Sequence, residues 1–308
     1  MSAISRLLPQ IAYLEMFESP KTTNVDLKGW IANQDYLIDQ ELSSHSFTVR
    51  SNSKTSLQCA LANDCNRMAI AAFETVCGIQ SDPFLHKSGA WGVIRAYYSA
   101  FFAAHALLRM HGISCSQLEK EHMNKVFDVA HILDKQGNIS KLEKGFYEIR
   151  IDKNFTEVSF KKYKDSHKDT WTCFLKLLNQ LIIEIENTTG LAEQKIEARD
   201  LLVTLKKGIT RARCTENGNW LSKIRNSVNY QHTLGVWYPY ERKATFHKLI
   251  PQISESWKSD PRSIEIDGRS RDIEAFFSTS LLLVSLFRES FLACLDKVNK
   301  ACQDRRSL

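Results

Sequence analysis

No proline falls between Pro83 and Pro239. Within that run the apolar residues recur mostly at three- and four-residue steps, the period of a helix that buries one face. A chain so patterned is committed to helix over most of its middle, and the expected class is all-α. The segment from His86 to His111, carrying "GAWGVIRAYYSAFFAAHALLRMHG", is apolar almost all round and predicts a central helix that ends at Gly112. Trp171, Phe174, Leu178, Leu181 and Ile185 form one stripe, which Gly190 is expected to terminate in a left-handed turn. Further helices are predicted at about 5 to 18, 56 to 78, 116 to 134, 191 to 208, 219 to 232 and 272 to 300.

Two stretches resist that period. "YEIRIDKNFTEVSFKKY" (147 to 163) and "RSIEIDG" (262 to 268) alternate in a way that permits short strands, and they read as hairpins or insertions at the edge of a helical core. Segment 20 to 54 is polar and turn-rich and reads as a linker or surface arm. The expected organisation is an N-terminal helical region with a polar linker over 1 to 83 and a larger helical domain over 84 to 308. An insertion around 135 to 215 interrupts that domain.

Several chemistries lack their signatures. The nine histidines show no HExxH spacing, the eight cysteines form no CxxC pair, and P-loop, GxGxxG and GxSxG motifs are absent. No metal ligand set and no cofactor is therefore expected. His105, His111, His122 and His131 read as satisfied or solvent-facing, and Tyr97 and Tyr98 as packing residues, one of whose hydroxyls could reach a cleft. Residues 1 to 20 carry Arg6, Pro9, Glu15 and Glu18 inside their apolar pattern, unlike a secretory signal. The uncharged stretch from Ala275 to Phe287 is shorter than the roughly 20 residues of a membrane span and reads as a buried helix. A cytoplasmic protein with reduced thiols and no membrane partner is the expectation.

Charge is concentrated. Between Lys206 and Lys248 there are nine Lys and Arg against two Glu, a surplus of seven, while the whole chain has a net charge of +6. The same window holds Trp220, Tyr230, Trp237, Tyr238, Tyr240 and Phe246. Cations interleaved with aromatic rings suit a phosphate backbone with unstacked bases; a solvated rim around core aromatics would produce the same composition. Candidate RNA contacts are Lys206, Lys207, Arg211, Arg213, Lys223, Asn229 and Tyr230.

Spacing narrows the choice. If Asn219 caps a helix starting at Trp220, Arg225 and His232 lie about two turns apart, within about 20° of one another and about 10 Å along the axis. Leu221, Ile224 and Val228 form the neighbouring apolar stripe, so the pair borders a packed surface. Asn229 flanks that face, whereas Asn226 points elsewhere and could orient the pair through hydrogen bonds. An arginine fork can hold phosphoryl oxygens while a histidine moves protons near neutral pH. One histidine cannot easily serve both the 2′-hydroxyl and the leaving 5′-oxygen, a difficulty that a two-fold dimer removes.

"RNSVNYQH" resembles the R-x(4-6)-H motif of the HEPN superfamily of helical ribonucleases, and "WGVIRAYYSAFFAAHALLRMHG" is similar to that family's Tyr/Ala-rich second helix. The resemblance covers about residues 84 to 300. It implies an antiparallel helical bundle, catalytic Arg225 and His232, an accessory polar Asn226, and a homodimer that builds a composite site. It further implies metal-independent cleavage of single-stranded RNA or tRNA to a 2′,3′-cyclic phosphate, in a toxin or antiviral-defence role with an antitoxin or sensor protein as partner. More than a hundred residues separate the two motifs, a longer interval than in compact members. A non-catalytic module that binds RNA or a partner protein stays open beside the enzyme, as does a regulator whose insertion binds a small signal.

Overall fold

The proline-free run becomes helix over most of its length, but a sheet is built into it. The computed structural model describes residues 2–18, 24–79, 89–211, 217–231, 255–266 and 270–306. The elements are α1 (Ala3–Ile11), α2 (Glu15–Glu18), α3 (Leu27–Ala32), β1 (Tyr36–Leu37), β2 (Ser46–Ser51), α4 (Lys54–Cys77), α5 (Gly89–Met110), β3 (Ile113–Leu118), α6 (Lys120–Ile132), β4 (Gly145–Ile151), β5 (Glu157–Tyr163), α7 (Ser166–Glu184), α8 (Ala192–Ile209), α9 (Trp220–Gln231) and α10 (Asp272–Arg306). The chain divides into two compact units, one of residues 1–11, 68–104 and 174–308 and the other of residues 12–67 and 105–173, so the boundary falls inside α4, α5 and α7.

An all-α class is not what the chain adopts. The second unit contains a five-stranded antiparallel sheet in the order β1-β2-β5-β4-β3. Residues 147 to 163 do form a hairpin, but β4 and β5 are inner strands of a five-stranded sheet and not a short hairpin at the edge of a helical core. The described part of segment 20 to 54, residues 24–54, is no linker: Trp30, Tyr36, Ile38, Leu42, Phe47 and Val49 are buried, and β2 pairs with β5 from Ser46↔Lys161 to Arg50↔Glu157. The first residues of the helix predicted at 116 to 134 belong to β3. Ser114, Cys115 and Ser116 show no apolar alternation, and this strand is buried on both faces by what packs around it. In "RSIEIDG" only a 3-10 turn, Pro261–Ser263, and irregular chain follow, and its last residues lie outside the described ones.

Asp152 fixes the β4–β5 turn. Its Oδ1 accepts from the backbone N–H of Thr156 and of Glu157, each at 2.7 Å, and its Oδ2 from the Asn154 N–H and the Thr156 hydroxyl. Partial burial alone would raise this carboxyl; the four donors outweigh it and hold it below the ordinary range.

The sheet's apolar face carries Phe47, Val49, Tyr147, Ile149, Ile151, Val158 and Phe160, all buried. In this unit a chain of charges runs beside it. Asp26 caps α3, its Oδ1 accepting from the Gly29 N–H at 2.8 Å, and its Oδ2 pairs with Arg67 at 2.7 Å. Arg67 also pairs with Asp64, whose other oxygen meets Arg109 Nε at 2.6 Å. Asp64 and Arg109 are each 1% exposed. Arg109 Nη1 donates to the His105 carbonyl at 2.9 Å and lies 3.1 Å from His105 Nδ1. Gly112 ends α5 as expected, at φ +72°, and a Cβ there would lie 2.4 Å from the Tyr13 ring.

In the other unit the described elements are helical. α10 is buried nearly all round from Phe276 to Phe287. By length and composition it could cross a membrane, with a mean hydropathy of 1.4, but 61% of that window is buried inside the protein, as in a core helix. α1 packs on α8 and α10, and Gln10 exchanges two 2.8 Å hydrogen bonds with the backbone of Thr189. α7 ends at Glu184 in a 3-10 turn. Gly190 does not stop it through a left-handed conformation; its missing Cβ admits Leu7, which would lie 2.8 Å away.

Removing the Asp64 carboxylate leaves Arg109 buried without its counter-charge, so Asp64→Ala is expected to cost about 3–5 kcal/mol, measured as a fall in the urea midpoint. Burial, with Arg109 and His167 nearby, holds His105 well below its ordinary 6.5. The unfolded chain therefore takes up a proton near pH 6.5 that the folded chain refuses, and stability is full above that pH and falls as the pH drops below it. Urea midpoints at pH 7.5 and 5.5 should differ in the wild type and differ less in His105→Gln.

Candidate functional site

The helix carrying Arg225 starts at Trp220, as the sequence leads one to expect, and is described to Gln231. Its apolar stripe anchors it: Trp220, Leu221, Ile224 and Val228 are buried, and the Trp220 ring meets Phe276 of α10 edge-on at 6.3 Å. Arg225 goes further inward than a residue at the border of that stripe, with only 5% of its surface exposed.

Tyrosines surround its guanidinium. Arg225 Cζ stands 5.0 Å from the centre of the Tyr97 ring, 5.8 Å from Tyr98 and 5.9 Å from Tyr230. Its Nη1 donates a long, 3.4 Å hydrogen bond to the Tyr230 hydroxyl. Nε has no hydrogen-bond partner, and among the described residues no carboxylate pairs with this arginine. Tyr97 is fully buried and stacks on Phe101, which fixes the ring beneath the charge. Each cation–π contact is worth about 0.5–2 kcal/mol according to its burial. Rings can soften the loss of hydration in this way, but they do not replace an anion. The arrangement keeps a positive charge and an unused N–H donor ready for one.

The other candidate residues divide by position. Asn229 lies about 40° round the helix from Arg225 and is half-buried, while Tyr230 is 69% exposed. Asn226 is exposed, about 100° away. Lys223 is exposed and about 160° away, so it does not share the Arg225 face. Arg211 is already engaged: Nη2 donates to the Ser270 carbonyl at 2.5 Å, Nε lies 3.6 Å from Asp272, and the guanidinium stands 5.8 Å from the Trp220 ring. It thereby ties the end of α8 to the starts of α9 and α10. Lys206 and Lys207 sit in the last turn of α8, half-buried and exposed respectively. His232 and Arg213 lie outside the described residues, as do Trp237, Tyr238, Tyr240 and Phe246.

Sequence reasoning placed Tyr97 and Tyr98 in the packing and missed their contact with Arg225. The signal available was an adjacent tyrosine pair in an otherwise Ala/Phe-rich helix. Among the described residues no group of three or more His, Cys, Asp and Glu could hold a metal ion.

The fold is thus a mixed one, with a helical unit carrying a buried, tyrosine-caged arginine and a second unit built on an antiparallel sheet. Compared with known proteins, the chain matches no family model, and no curated protein and no solved structure is similar to it.

Isosteric replacement separates the volume of Arg225 from its charge. Arg225→Ala leaves a void and should cost about 2–4 kcal/mol. Arg225→Met fills the space and removes a buried charge that lacks an anion, so it should lie within about 1 kcal/mol of wild type. Urea denaturation of the two variants measures the contrast.

Proposed function

We propose that the chain is a metal-independent endoribonuclease of the HEPN type, acting as a cytoplasmic toxin or antiviral-defence effector on single-stranded RNA or tRNA. One observation carries the reading: Arg225, from the R-x(6)-H stretch, rests on Tyr97 and Tyr98 of the Tyr/Ala-rich helix with an Nε donor unused. The contact of Arg225 with Tyr97 and Tyr98, without a counter-charge among the described residues, supports reading the two sequence features behind the resemblance as parts of one site.

In this reading Arg225 holds the non-bridging phosphoryl oxygens as negative charge develops. His232 takes the proton of the 2′-hydroxyl, the 2′-oxygen bonds to phosphorus, and the bond to the 5′-oxygen breaks. The leaving oxygen receives its proton from the His232 of a second copy, and the products are a 2′,3′-cyclic phosphate and a free 5′-hydroxyl. Tyr230, exposed and beside the guanidinium, offers a ring on which an incoming base can stack. Asn226 and Asn229 supply polar contacts, Lys206, Lys207, Arg213 and Lys223 a diffuse attraction for the backbone. An antitoxin or sensor protein would restrain the activity.

The depth of Arg225 favours a second reading. A guanidinium 5% exposed can serve packing alone, and the unit would then be a non-catalytic module for RNA or a partner protein.

Incubating the purified chain with total cellular RNA and tRNA in EDTA separates the two. The nuclease cuts in EDTA and leaves cyclic phosphate ends, and His232→Ala lowers the rate by about 10²–10⁴-fold. Arg225→Lys keeps the charge but loses the fork and should also be impaired. Binding without cleavage, unchanged in His232→Ala, would establish the module instead.

A further inference from the structure

The sheet-bearing unit has a cavity that the nuclease reading does not use. Its volume is about 370 Å³, and its floor is the sheet face opposite the apolar one, with the segment 40–43 as a wall. Register fixes what that floor presents. Thr48 pairs with Ser159 and Ser159 with Arg150; two residues along, Ser46 pairs with Lys161 and Lys161 with Glu148. Directly paired residues share a face, with Cβ atoms about 5 Å apart, and successive rungs lie about 7 Å apart. Six polar side chains therefore form a compact two-by-three array.

Their charges are not equivalent. Glu148 is 4% exposed, and its two oxygens accept from Arg150 Nε and from the Tyr163 hydroxyl. Its charge is spent inside the array. Arg150 keeps its outer guanidinium nitrogens unengaged among the described residues, and Lys161 is exposed with no ion pair among them. These two cations stand on diagonal positions, within reach of one oxyanion. The hydroxyls of Ser46, Thr48 and Ser159 line the rest of the floor, and Gln40, Glu41 and Ser43 face them from the wall. Phe47 and Phe160 also border the cavity, but by register their rings point to the opposite, buried face, where they stack on each other at 4.5 Å. The array consequently has hydroxyl-binding groups and cations but no aromatic platform for a base.

We propose that this cavity binds a small phosphorylated polyol of sugar-phosphate size. Lys161 and the free edge of Arg150 take the phosphate, and the serine and threonine hydroxyls with the carboxylate and amide of the wall take the ligand's hydroxyls. The volume, near the lower end of small-molecule sites, admits one such molecule and excludes a polynucleotide.

Titration calorimetry of the full chain with ribose 5-phosphate, ribose, inorganic phosphate and adenosine monophosphate tests this. Saturable binding of ribose 5-phosphate is expected, at least about ten-fold tighter than ribose or inorganic phosphate, and not improved by the base of adenosine monophosphate. Lys161→Gln, at an exposed position, should weaken it about ten-fold with an unchanged ligand-free Tm. Thr48→Val should weaken it through the hydroxyls alone. Arg225→Met should leave it intact, so failure of the nuclease reading and failure of this one are told apart. No saturable binding up to about 10 mM, or binding unchanged in both Lys161→Gln and Thr48→Val, or binding lost in Arg225→Met but kept in Lys161→Gln, would overturn the assignment.

Discussion

Burying an ion costs several kcal/mol unless a partner replaces its water, and the pair of Asp64 and Arg109, each 1% exposed, meets that condition at 2.6 Å. Much of the sheet-bearing unit is arranged around it. Arg109 is held from α5 by the His105 carbonyl, Asp64 is shared with Arg67, and Arg67 reaches Asp26 at the start of α3. Ser114, the second residue of β3, lies 3.5 Å from the same carboxylate. Three helices and a strand thus have their approach set by charge matching, while the apolar face from Phe47 to Ile151 supplies the non-directional burial. Hydrophobic area alone would tolerate sliding of helix over sheet; a buried ion pair tolerates much less, because a slip strands a charge.

That arrangement also explains which parts of the fold were legible. α4, α5, α8 and α10 have long apolar periods, and their ends could be read to within a few residues except for the C-terminal end of α10, which runs past the expected 300 to Arg306. β2 and β3 could not. "SFTVRS" alternates Phe47 and Val49 against Ser46, Thr48 and Arg50, a pattern that a polar arm also shows until a partner strand covers it. β3 is Ser/Cys-rich, and its strand character comes from β4 beside it. "RSIEIDG" alternates equally well and forms no ladder among its described residues. Alternation is therefore a necessary sign, and long-range pairing between residues such as Phe47 and Phe160 decides which alternating stretches become strands.

The site was legible in direction but not in depth. Seven-residue spacing and the stripe of Leu221, Ile224 and Val228 place Arg225 at the edge of a packed face. Its descent to 5% exposure depends on Tyr97 and Tyr98, which lie far away in sequence. Net charge in the window from Lys206 to Lys248 was a coarser guide: Arg211 is tied up with Asp272 and Ser270, and Lys223 faces away. Counting cations overstates what one helix face can offer a ligand.

The chain contains its own comparison for Arg225. Arg109 is as deeply buried and is matched by a carboxylate, a carbonyl and an imidazole. Arg225 has three rings and one long hydrogen bond to a tyrosine. If packing alone had placed Arg225, a side chain of the same bulk without charge would serve as well or better, since the rings recover only part of the hydration lost. A guanidinium kept in that position without an anion among the described residues is intelligible when the anion comes from elsewhere. On the proposed reading that anion is a phosphate, which would bring the charge and the acceptor oxygens that the tyrosines lack.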